Sequence, residues 1–178
     1  MVGVVDAAGP DTNGFAPRDR VAWRDIPVRQ ADGSHEEIRL GELLLMDQDD
    51  VLGVPSWIRD EQVVSYLGAG LIARALVREA HEVSTGRMRP FGRGDEIRVV
   101  SADPLVAEMT AAWAKSLGAR VVDRGGSFAI QDEPKHRRSV LGSHGKLAQA
   151  AVEVFQAIRA GVFDGVRPAG QQQVRKAA

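Results

Sequence analysis

Apolar and polar positions alternate in short blocks along this chain, and the blocks change period several times. Val21–Val28 and Ile38–Leu40 are short β-type runs around Asp32-Gly33. Asp-Gly supports a hairpin, because Gly tolerates positive φ and Asp bonds nearby backbone. Leu43–Met46 is a continuous apolar run, expected to be a buried strand, and it ends in Asp47-Gln-Asp49-Asp50. Val63–Leu67 is a further β-branched run, followed by Gly68-Ala69-Gly70. A helix carrying both glycines in its interior would lose about 1 kcal/mol at each relative to Ala. The pattern is therefore read as a strand ending at Leu67, a glycine turn, and a helix from about Leu71 with Ile72, Ala73, Leu76, Val77 and Ala80 on its apolar stripe.

The second half is patterned more plainly. Glu96–Ser101 is a strand. Asp103-Pro104 opens a helix, with Asp as cap and Pro at the first helical position. Val106, Met109, Trp113 and Leu117 share one face of it, and Gly118 stops it. Arg120–Asp123 and Ser127–Ile130 are expected to form a hairpin about Gly125-Gly126. Leu147–Ala160 is a last helix with Leu147, Ala151, Val154, Phe155 and Ile158 inward, ended by Gly161. The fold class expected is α/β, an α+β sandwich with a βαβαββ core at 61–131, an N-terminal β-hairpin and an extra C-terminal helix. Residues 1–18 read as a flexible arm, 19–167 as a single domain and 168–178 as a flexible tail.

Gly94–Val122 resembles the second half of the TusA/SirA-like sulfur-carrier family. The likeness rests on Gly94-Asp95, a strand, Asp103-Pro104, a helix with Trp113 at its middle, then Gly118 and a short strand. The resemblance implies the strand–helix–strand–helix–strand–strand fold. In that family the first helix opens on a reactive Cys-Pro. The topology read above puts Gly68-Ala69-Gly70 there, and the chain has no cysteine. A persulfide carrier is therefore excluded, together with disulfides, thiolate nucleophiles and zinc-thiolate sites. What the resemblance leaves is a cysteine-less accessory or binding module.

With 178 residues, 44% hydrophobic and 26% charged, the chain suits a globular domain with a core of ordinary size. A net charge of −1 argues against a surface built entirely for nucleic acid or anionic lipid. No apolar run reaches the ~20 residues of a membrane span. The first residues lack the charged start and apolar stretch of a secretory signal, so a cytoplasmic location is expected.

Three stretches could carry chemistry. Gly68-Ala69-Gly70 before a helix matches the start of a dinucleotide fingerprint, with Asp103 as the acid for a ribose. That acid lies farther along than the usual spacing of about 20 residues. A small nucleotide-binding enzyme or sensor is the alternative function on this ground. The second stretch is basic: Lys135–Lys146 contains Arg137, Arg138, Ser143, His144 and Lys146, and Ser84–Gly94 adds Arg87, Arg89 and Arg93. Such loops, with a helix N-terminus beside them, suit an anionic small molecule or a protein partner. A nucleic-acid backbone is also open, but no aromatic-rich basic face supports base stacking. The third stretch, Asp47-Gln-Asp49-Asp50, is more often a polar turn than a Mg²⁺ site, so no metal is assigned. The four histidines show no metal-type spacing. Trp57 suits a linker anchor or a subunit contact, and a homodimer is among the assemblies expected.

Overall fold

A computed structural model describes residues 1–23, 43–132 and 144–168, and the backbone at 28–29 and 35–36. The fold is α+β. It resolves into two compact units, Met1–Val64 and Ser65–Ala178.

In the first unit, β1 (Val2–Val4), β2 (Arg20–Trp23) and β5 (Val51–Gly53) form an antiparallel sheet in the order β1-β2-β5. The stretch read as an arm thus supplies an edge strand. Its centre is Gly3, where a Cβ would come within 2.8 Å of the Trp23 ring. Between β2 and β5, β3 (Val28–Arg29) pairs antiparallel with β4 (His35–Glu36). These strands have other limits than expected, and Asp32, Gly33 and Ile38–Leu40 lie outside the described residues. Leu43–Met46 is not a buried strand. It has no regular structure, and Leu43 and Leu45 are 84% and 103% exposed.

A single helix, α1 (Asp60–Arg78), replaces the expected strand, glycine turn and helix. Its start is written in local chemistry. Asp60 and Glu61 lie in the first turn, where the helix dipole favours acids. Gln62 Oε1 accepts from the Arg59 N–H at 3.2 Å, which is half of a capping box. Within the second unit, β6 (His81–Glu82), β7 (Glu96–Val100), α2 (Pro104–Ser116), β8 (Arg120–Val121), β9 (Phe128–Gln131) and α3 (His144–Arg159) follow.

The second sheet runs β6-β9-β7-β8, with β8 and β9 both parallel to β7. The expected β8–β9 hairpin is therefore wrong: the two strands lie on opposite sides of β7. Gly126, at φ 98°, allows the crossing, since a Cβ there would meet the Glu96 carbonyl oxygen at 3.1 Å. From Ser65 to Gln131 the order is helix, strand, strand, helix, strand, strand, so the βαβαββ order loses its first strand and gains β6. The sheet's inner face packs Ile97, Phe128 and Ile130 against Leu76, Ala80 and Val106.

Both later helices begin and end close to where their residues predict. Asp103 caps α2, and Gly118, at φ 90°, follows Leu117 in a Schellman arrangement closed by Ala119 N–H to the Ala114 carbonyl. Gly161 ends α3 in the same way, with Val162 N–H donating to the Ala157 carbonyl at 3.0 Å. Leu117 departs from its expected inward face and is 46% exposed.

Candidate functional site

Gly68, Ala69 and Gly70 lie in the middle of α1. Interior helical amides donate to the carbonyl four residues back, so they are not free to cradle a phosphate. The nucleotide turn read from this triplet is corrected on that ground. The two glycines are also not equivalent. A Cβ on Gly68 would meet nothing within 4 Å. One on Gly70 would come within 2.7 Å of Val154 Cγ1 and 3.2 Å of Met109 Cε, both on fully buried side chains. Gly70 lets α1 approach α3 and α2 closely, and it continues the buried stripe of Leu67 and Leu71. The helix contact is completed by ions. Arg74 holds Glu153 through Nε and Nη2 at 2.7 and 2.9 Å, and Arg78 Nη2 adds a contact at 2.8 Å. Arg74, then Arg78, keep the Glu153 carboxyl below its ordinary pKa.

Asp103 is spent on α2. Its Oδ1 accepts from the Leu105 and Val106 amides at 3.0 and 3.3 Å, and its own N–H donates to Ser101 Oγ at 3.1 Å. Ser101 Oγ in turn donates to Asp132 Oδ2 at 2.8 Å. The capping role expected for Asp103 is the one observed: its Oδ1 serves two amides of the first turn of α2.

The loop after β6 is the more informative region. Glu82 N–H donates to the Arg87 carbonyl, and Gly86 N–H to the Glu82 carbonyl, which folds the chain back on itself about Thr85-Gly86. Arg89 then closes the loop. Its guanidinium donates to Asp95 Oδ1 at 3.2 Å and to Glu82 Oε1 at 3.3 Å, and it lies 4.4 Å from the Phe128 ring centroid. Thr85 Oγ1 donates to Glu82 Oε2 at 2.8 Å, and Gly92 N–H to Asp95 Oδ2 at 3.0 Å. Thr85, then Arg89, lower the Glu82 pKa, and Arg89, then Gly92, lower that of Asp95. Asp95, then Glu82, raise the Arg89 pKa.

Arg89, expected among the anion-binding residues, is thus an internal staple. Arg87 and Arg93 flank it in the same loop, are exposed, and face no carboxylate among the described residues. Gly92-Arg93 rests on the end of α2, with the Arg93 Cα 3.3 Å from where a Gly118 Cβ would stand. Lys146 is exposed in the first turn of α3, which holds no acid. His144 opens that helix, while Arg137, Arg138 and Ser143 lie outside the described residues. Glu82, Thr85, Asp95 and Phe128, the staple's partners, were missed in the sequence. The signal was present in His-Glu-Val followed by Thr85-Gly86, a short strand and turn that arginine content concealed.

Among the described residues, no group of three or more His, Cys, Asp or Glu is placed to hold a metal, and no helix is long and apolar enough to cross a membrane. Comparison of the chain with protein-family models, with curated proteins and with solved structures finds no match.

Proposed function

We propose that this chain is a binding module for an anionic ligand or partner, and that its basic loops do the binding. The observation that carries the reading is the division of labour among three arginines. Arg89 satisfies Glu82 and Asp95, which leaves Arg87 and Arg93 exposed on a loop held in one shape. Ordering a loop before binding lowers the entropy that binding must overcome. Guanidinium groups held apart in this way suit the oxygens of a phosphate, sulfate or carboxylate. Lys146, in an acid-free first turn, adds positive charge where a helix dipole already favours an anion. The β7–α2–β8 half, which resembles the TusA/SirA-like carriers, serves in this reading as an accessory frame whose cysteine chemistry has been dropped.

Thermal shift with inorganic phosphate and pyrophosphate tests the reading. A ligand bound only by the folded state raises Tm with concentration. Wild type is expected to shift. The double variant R87A/R93A is expected to lose most of the shift, and K146A part of it. An equal shift in R87A/R93A, or no shift in wild type at saturating anion, contradicts the reading.

A further inference from the structure

Among the described residues, the second sheet has a face that the helices do not cover. Cross-strand neighbours share a face, and so do residues two apart along a strand. Ile97 and Phe128 are register partners on the inner face, so Arg98 and Ala129 are partners on the other. His81 pairs with Ala129 and bridges to Met88, which extends this outer row to Met88, His81, Ala129 and Arg98. Val100 and Gln131 form the next row, and Glu96 and Arg120 the one before. Val83 lies two residues beyond His81 and continues the same face.

This face is apolar and cationic at once. Val83, Met88 and Val100 are 60%, 62% and 48% exposed. Arg98 is exposed and meets no carboxylate among the described residues. Arg120 pairs with Glu96 yet is 72% exposed along its side chain.

A segment of the first unit has the complementary character. From Leu43 to Met46 exposure alternates, with Leu43 and Leu45 fully outward and Leu44 and Met46 half-buried. The two outward leucines are spaced as on a strand, roughly 6.6 Å apart along an extended chain. Exposed Asp47 and Asp50 follow at once. It is the apolar–acidic counterpart of the apolar–basic sheet face.

We propose that the outer face of the β6-β9-β7-β8 sheet binds the Leu43–Asp50 segment of a second copy of this chain. Leu43 and Leu45 cover Val83 and Met88 at the β6 edge, and Asp47 and Asp50 meet Arg98 and Arg120. Charge opposition sets the direction of docking, and apolar burial supplies most of the affinity. An area this small makes the association weak and salt-sensitive. A nucleic acid is the poorer occupant, because among the described residues no Phe, Tyr or Trp stands on this face to stack a base.

Sedimentation of the full chain over a range of concentrations tests the proposal. Wild type should exceed the monomer mass of 19.2 kDa as concentration rises. L43S/L45S and V83S/M88S should each sediment as monomers. R98E should weaken association by about tenfold, and adding D47K/D50K to R98E should restore part of it. All these positions are exposed, and far-UV circular dichroism checks that each variant keeps its fold. As a second measurement that needs no variant, a synthetic Leu43–Asp50 peptide should dissociate the wild-type assembly. A wild-type monomer at every concentration overturns the proposal. So does association that survives L43S/L45S and resists the peptide.

Discussion

Helices α1 and α2 both pack on the inner face of the same sheet, yet their sequences disclose them to very different degrees. α2 is bounded by Asp103-Pro104 and Gly118, each acting on backbone groups one turn away or less. α1 carries Gly68 and Gly70 in its interior, and one of them is there for the sake of Val154, on a helix far along the chain. Caps and stops are local, so a window of a few residues contains their reason. A glycine kept for close helix approach has its reason elsewhere, and locally it is indistinguishable from a turn.

Breaking the tertiary side of this comparison should have the largest effect. Gly70→Ala forces a methyl against Val154 Cγ1, which is fully buried and cannot move away. Overpacking costs ~1–3 kcal/mol and outweighs the gain in helix propensity. Chemical denaturation of G70A, V154A and the double variant should show strong coupling, because Val154→Ala makes room for the new methyl.

The local side should break more gently. Asp103→Ala removes the acceptor for two amides and is expected to lose about 1 kcal/mol, read as a lower denaturation midpoint. If D103A instead abolishes binding of a nucleotide without altering stability, the capping assignment is wrong.

The Arg74–Glu153–Arg78 contact sharpens the comparison through pH. Glu153 has a lowered pKa in the folded state, so its contribution is present above the unfolded value of about 4.3 and fades as pH falls through the folded value. The same sign applies to Glu82 and Asp95 in the staple. Stability should therefore fall as pH drops below about 4.5, and E153Q should flatten that fall. A stability profile with the same slope in E153Q would remove the ion contact from the account.

How much could be read in advance follows the same division. α2 and α3 were legible because Asp103, Gly118 and Gly161 do their work within a turn of themselves. The α+β class was legible too, since it needs only alternating element types. The helical state of Val63–Leu67 was not, because a β-branched run before two glycines looks locally like a strand and turn, while the helix depends on the Asp60-Glu61-Gln62 start and on the buried spacing of Leu67, Gly70 and Leu71. The order of β8 and β9 was hidden because Gly125-Gly126 fits a hairpin locally as well as it fits the passage from one side of β7 to the other. In the candidate site, Arg87 and Arg93 were found with Arg89, but nothing in composition separates an arginine that staples from two that remain exposed. That separation depends on Glu82, Asp95 and Phe128 meeting in space.

The smallest expected effect is at Gly68, where an added methyl meets nothing. There Ala should stabilise the helix by up to about 1 kcal/mol. The most direct measurement is thus urea denaturation of G68A and G70A side by side. If the pair lies inside one helix with only Gly70 at a helix contact, G68A unfolds at higher urea than wild type and G70A at lower. If both variants shift in the same direction by similar amounts, the two glycines share one role and the continuous, closely packed α1 described above is contradicted.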